Sequence, residues 1–111
     1  MPDRLRRFKA QIFQALAHPT RIAVVEALRD GELTAGALGE RVQVEQANLS
    51  QHLSVLRSRQ LLTNRKVGNQ VFYAVRDPLL LQLLDLLREY CSSHLTDTLA
   101  LLDEMQQEGA Q

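Results

Sequence analysis

Apolar positions recur along this chain at two different periods, and each period predicts an element. Leu5, Phe8, Ile12 and Leu16 fall at three- and four-residue steps, the stripe of an amphipathic helix over about residues 4–16. Ala17-His18-Pro19 ends it, because the residue before a proline is pushed away from helical backbone. Pro19 then fits the first turn of a second helix, where its missing N–H is no loss. Ile22, Val25 and Leu28 give this helix a buried face, and Asp30-Gly31 stops it. Leu33-Thr34 opens a short third helix, with Thr34 as the cap and Leu33 and Leu38 set to clasp across it. Beyond a turn at Gln43-Val44, Leu49, Leu53 and Leu56 recur at i, i+4 and i+7 and anchor a fourth helix over about 45–60.

The period then shortens to two. Val71, Tyr73 and Val75 alternate with Gln70, Phe72 and Ala74, which predicts a strand. Gly68-Asn69, or Val67-Gly68, can supply the positive φ angles of a tight hairpin, so about 61–75 reads as a two-stranded ribbon. From Pro78 a leucine-rich helix runs to about 107, carrying Leu80, Leu83, Leu84, Leu87, Cys91, Leu95, Leu99 and Leu102. The expected fold is mainly α: one domain over 1–111, a winged helix-turn-helix with a two-stranded β-wing between long N- and C-terminal helices. Two residues suit their positions poorly. Gln60 ends the fourth helix where glycine would enter left-handed backbone more easily, and Glu45 starts it where serine is the commoner cap.

The polar side of the fourth helix carries the candidate chemistry. Opposite the leucines stand Ala47, Gln51, Ser54 and Ser58, flanked by Gln46, Asn48 and Ser50, all small or uncharged and mostly able to exchange hydrogen bonds. Such a surface suits base edges in a major groove, with Gln46, Ala47, Asn48, Gln51 and Ser54 as the readers. Arg65 and Lys66 on the ribbon suit phosphate, and Thr34, Ser50, Arg57, Arg59 and Asn69 complete the expected backbone contacts.

Net charge at first argues against this, since 13 basic and 13 acidic residues cancel. The distribution restores the argument. Residues 41–76 hold six basic side chains against one acidic, a local +5, whereas 77–111 hold one against seven, a local −6. The positive block coincides with the helix and ribbon. Composition narrows the field further. The chain has 111 residues, 45% of them hydrophobic, enough for one modest aliphatic core. No apolar run approaches the roughly 18 residues of a membrane span, and the charged N-terminus lacks the apolar stretch of a signal peptide. A single cysteine excludes an intramolecular disulfide and fits a reducing cytoplasm. Without a glycine-rich phosphate loop, a nucleophile elbow or a His-carboxylate cluster, no enzyme and no cofactor is expected.

Four segments in order, LAHPTRIAVVEAL, ELTAGALGERV, LSQHLSVLR and NRKVGNQVFYAV, resemble the ArsR-type (ArsR/SmtB) winged-helix repressors of bacteria. The resemblance covers roughly residues 10–90, and Ser50-Gln51-His52-Leu53 followed by Leu56-Arg57 is its most specific piece. It implies a homodimer that binds a promoter operator on double-stranded DNA and blocks transcription. The apolar stripes agree, since Leu5, Phe8 and Ile12 on the first helix and Leu80, Leu84, Leu87, Cys91 and Leu95 on the last exceed what one small core can cover. Two-fold symmetry then predicts an inverted-repeat operator.

Departures from the family pattern concern its metals. Metal-sensing members carry a cysteine pair in the segment matching 33–39, here LTAGALG with no thiol. Others use Asp-x-His and a later His pair, where this chain has Asp77 followed by Leu79, then Tyr90 and Ser93. A tetrahedral site needs three or four converging ligands, so both family sites are expected to be absent. Two rival readings stay open. A protein-binding winged helix would expose aromatic or aliphatic anchors on the fourth helix, where this chain has Gln, Asn and Ser. A metal- or redox-responsive repressor would use Cys91, with His94 and Asp97 at i+3 and i+6; the plainer reading makes Cys91 a small apolar packer. His18 reads as a helix-start residue and His52 as a half-buried brace behind the fourth helix. No residue pattern names a small-molecule effector.

Overall fold

The computed structural model describes residues 2–109 as α1 (Pro2–Leu16), α2 (Pro19–Ala27), β1 (Leu33–Thr34), α3 (Ala35–Val42), α4 (Gln46–Ser58), β2 (Leu62–Val67), β3 (Gln70–Val75) and α5 (Leu79–Gly109). The fold is mainly helical, a winged helix-turn-helix with a small antiparallel sheet. The chain forms two compact units, one ending at Leu81 and the other beginning at Gln82.

Local chemistry sets the breaks. His18 is extended (φ −154°, ψ 127°), and its Nδ1 accepts the Thr20 N–H at 3.1 Å, so it caps α2 directly ahead of Pro19. Thr34 Oγ1 accepts the Ala37 N–H at 3.1 Å and caps α3. Asp77 does the same for α5, accepting the Leu79 N–H at 2.9 Å. The Asp77 carboxylate, considered above as a metal ligand, thus also serves as a helix cap through one of its two oxygens.

The core of the first unit is aliphatic: Ala15 and Leu16 from α1, Val24, Val25 and Leu28 at α2, Leu38 from α3, Leu49, Leu53 and Leu56 from α4. Leu61 and Leu62 at the base of the hairpin and Leu80 close it. On α2 Val25 and the Leu28 that follows it are buried as expected, Val24 joins them, and Ile22 is only half-buried. No polar side chain is buried among the described residues.

The sheet corrects one expectation. The hairpin β2–β3 pairs Leu62 with Val75 through to Val67 with Gln70, closing on Gly68-Asn69 as expected. Only Gly68 takes a positive φ (59°), the pattern of a type II′ turn with glycine first. Leu33 and Thr34, however, form a third strand on the far side of β3, in register Leu33↔Tyr73 and Thr34↔Phe72, so the order is β1-β3-β2. The wing is therefore hydrogen-bonded to the segment that enters the helix-turn-helix.

The second unit is the helical run from Gln82, with nearly every side chain exposed. Leu84 is buried at 6% exposure and Thr98 is half-buried. Leu80 and Leu84, expected on a dimer surface, are thus already buried within a single chain. Leu87, Cys91 and Leu95 remain exposed, as do Leu5 and Phe8 on α1, and Ile12 is half-buried. No described helix is long and apolar enough to cross a membrane.

Candidate nucleic-acid interface

The geometry of α4 begins with the turn before it. Gln43 takes left-handed backbone (φ 58°) without being glycine, and the Val44 N–H donates to Gly39 O at 3.0 Å. Gly39 itself is buried: a Cβ there would run into the Gln46 amide and lie 3.2 Å from Val44 O. Glycine is thus the residue that lets α3 and the start of α4 meet this closely. The Gln46 amide then donates to Ala35 O at 3.0 Å and ties α4 to the first turn of α3. Gln46, expected to read bases, is exposed and uses one amide N–H in this bond, which leaves its second N–H and its Oε1 free of protein partners among the described residues. Sequence offered one hint of this, a glycine in the middle of a helix where alanine would be about 1 kcal/mol better.

With Leu49 and Leu56 fully buried and Leu53 nearly so, α4 turns its other side outward. Ala47, Asn48, Ser50, Gln51 and Ser54 are all exposed, and the structure gives none of them a side-chain partner among the described residues. Near the C-terminal end, Ser54, Arg57 and Ser58 line a shallow open depression. The result is an uncharged hydrogen-bonding strip backed by a rigid apolar anchor.

The expected cations divide into two groups. Arg57 and Lys66 are exposed and carry no ion pair among the described residues. Arg59 donates to Gln11 Oε1 at 3.3 Å, joining the end of α4 to α1. Arg65 is held in a bidentate pair: its Nε donates to Glu32 Oε2 at 2.9 Å, and its Nη2 donates to Glu32 Oε1. Its guanidinium also lies 5.0 Å from the centre of the Phe72 ring, its cross-strand neighbour. Hydrogen bonding to Arg65 holds the Glu32 carboxyl below its ordinary value, and the same bonds raise the guanidinium. Thr34 keeps its O–H proton while its oxygen serves the cap, and Asn69 is exposed at the hairpin tip.

Behind the strip, the half-buried His52 ring sits 4.3 Å from His18 with the planes tilted by 47°. Desolvation, then the charges of His18 and Arg21, push the His52 imidazole below its usual value. The Arg21 Nε is buried beside this pair's elements without a hydrogen-bond partner. Cys91, His94 and Asp97 follow one another along the exposed part of α5, and no three His, Cys, Asp or Glu side chains converge among the described residues.

Known proteins share this arrangement. A family model described as a helix-turn-helix domain matches residues 16–65. The HTH-type transcriptional regulator Rv0081 of Mycobacterium tuberculosis is 35% identical over 107 residues, spanning 96% of this chain and 94% of that protein. Its crystal structure superposes with a TM-score of 0.78 over 86% of this chain and 96% of its own. A transcriptional repressor SmtB homolog of Synechocystis is 37% identical over 68 residues, 61% of this chain and 52% of that one. At 23% identity, the solution structure of Mb0332 from Mycobacterium bovis, titled a homodimeric winged helix-turn-helix domain of a possible ArsR-family regulator, matches in fold with a TM-score of 0.77 over 85% of this chain and 87% of that one.

Proposed function

This chain belongs to the ArsR-type winged helix-turn-helix transcriptional regulators, and from that membership we propose that it is a homodimeric repressor reading an inverted-repeat operator. The observation that carries the reading is the outward strip of α4, Ala47, Asn48, Ser50, Gln51 and Ser54, uncharged and unpartnered on a helix locked by three buried leucines. Asn48 and Gln51 offer paired donor and acceptor groups of the kind that read adenine, and Ala47 suits a thymine methyl. Arg57, Lys66, Ser50 and Asn69 supply phosphate contacts, with Arg59, Arg65 and Thr34 as further donors.

Dimerisation is supported by the apolar side chains left exposed on α1 and α5, and by the homodimeric state named for Mb0332. A dimer occupying promoter DNA would block transcription, and the Synechocystis relative is named a transcriptional repressor. The reading gives the protein no catalytic role and neither of the family metal sites, since LTAGALG lacks thiols and Asp77 is followed by Leu79, Tyr90 and Ser93 where further ligands are wanted.

The test is operator selection from a random duplex library, followed by variants on the selected site. Gln51→Ala and Asn48→Ala should each cost about 1–3 kcal/mol there and relax one base position. Lys66→Ala should weaken all sequences alike and flatten the salt dependence. Full affinity and unchanged base preference in Gln51→Ala would remove α4 as the reader. Activation of a reporter rather than its repression would reverse the sign of control and leave DNA recognition standing.

A further inference from the structure

The wing arginine is engaged before any DNA arrives. Glu32 lies in the loop after Gly31, 33 residues from Arg65 in sequence, and meets it because β1 pairs with β3 while Arg65 sits opposite Phe72 on that same strand. The carboxylate takes Nε and Nη2 together, the fork geometry with which a guanidinium also grips two oxygens of a phosphate. Phe72 supports the guanidinium at 5.0 Å from the ring centre and keeps it on the wing. Both partners are accessible, with side chains 57% exposed for Arg65 and 36% for Glu32.

We propose that Glu32 is an internal competitor for the phosphate contact of Arg65, lowering the affinity of the wing for duplexes of every sequence. The proposal rests on the DNA-binding reading and adds to it a residue that sets specificity. With Glu32 in position, the formal charge at this point of the wing is zero. A phosphate approaching the remaining guanidinium edge also meets a carboxylate on its flank, and like charges so placed repel. Exposed ion pairs are weakly held, so the exchange of Glu32 for a phosphate is open to a well-placed site and unfavourable at a poorly placed one. Base contacts from α4 decide which sites are well placed. Lys66, next along β2, has no carboxylate partner among the described residues and leaves the wing one unrestrained cation. Glu32 thereby trims affinity that carries no sequence information.

The experiment compares wild type, Glu32→Gln, Glu32→Ala, Arg65→Ala and the double variant Glu32→Gln/Arg65→Ala on a fluorescent random-sequence duplex. Binding is titrated across a range of NaCl concentrations, with far-UV circular dichroism as the fold control. Both Glu32 variants should bind this non-specific duplex about two- to fivefold more tightly at moderate salt. Their plot of log K against log salt should steepen by about 0.9, one extra phosphate contact. The double variant should match Arg65→Ala, because the competitor has nothing left to hold. Folded Glu32 variants with unchanged affinity would overturn the proposal. Weaker binding would also overturn it, and would make Glu32 a positioning residue for the guanidinium. A wild-type protein that binds no duplex at all would instead sink the DNA-binding reading underneath.

Discussion

At the scale of single residues, the site depends on positions whose role is steric or electrostatic rather than recognitive. Gly39 is the clearest. Alanine would gain about 1 kcal/mol of helix propensity, but its Cβ would press on Val44 O and displace the Gln46 amide from Ala35 O. Overpacking of this kind costs about 1–3 kcal/mol, so the clash wins, and Gly39→Ala should lower stability by roughly 1 kcal/mol in urea melts. The penalty should shrink when Gln46 is already alanine, since one of the two contacts is gone; additive losses would show that the residues do not meet. His52 gives a second prediction. Its folded pKa lies below the ordinary 6.5, so the unfolded chain takes up its proton first. Stability is therefore full above about pH 6.5, falls as pH drops toward the folded pKa, and levels off beneath it. His52→Gln should flatten the melting temperature across that window, and an unaltered slope would assign the effect elsewhere. The place of His18 at a helix start was readable from Pro19, and the structure adds the bond its Nδ1 accepts from the Thr20 N–H. Its tilted contact with the His52 ring was not readable, because nothing in local sequence brings residues 34 positions apart together.

At the scale of elements, what was legible followed the length of the repeating pattern. The leucines of α4 and the alternation of β3 marked their elements because several residues repeat one period. A two-residue strand has no period to read, and Leu33-Thr34 served equally well as a helix entry, so β1 was missed while the cap formed by its own Thr34 was found. The outward strip of α4 was legible for the same reason as its buried face. The Gln46 bond to Ala35 O and the Glu32–Arg65 pair were not, since both depend on tertiary register. The ends of α4 show where sequence and conformation disagree. Glu45 makes no side-chain cap bond, and Gln60 sits at φ 60° in backbone that glycine occupies without strain. Gln60→Gly should therefore raise stability by up to about 1 kcal/mol while leaving operator affinity unchanged. Equal stability of the two proteins in denaturant melts would mean that Gln60 recovers the cost through contacts of its own.

At the scale of the molecule, the unresolved quantity is the apolar surface. Leu87, Cys91, Leu95, Leu99 and Leu102 follow at steps of four, four, four and three along α5, all of them exposed, and Leu5 and Phe8 are exposed on α1. A monomer rarely leaves a continuous stripe of this kind in water, and each leucine fully covered by a partner contributes about 1.5–3 kcal/mol. A second copy of the chain would cover these side chains and would also supply the two-fold axis of the proposed inverted repeat. The choice of test residues follows from burial. Leu84→Glu would place a charge at a position only 6% exposed in the single chain, so its loss of binding would report unfolding. Leu87 and Leu95 are 44% and 57% exposed, so glutamate at both should leave the fold of the chain intact. Leu87→Glu/Leu95→Glu should sediment as a monomer at micromolar concentration and keep its helical circular dichroism. It should bind a single half-site weakly and show no preference for paired half-sites about 10 base pairs apart. A wild-type protein that sediments as a monomer under the same conditions would leave the stripe to some other partner and remove the symmetry from the operator.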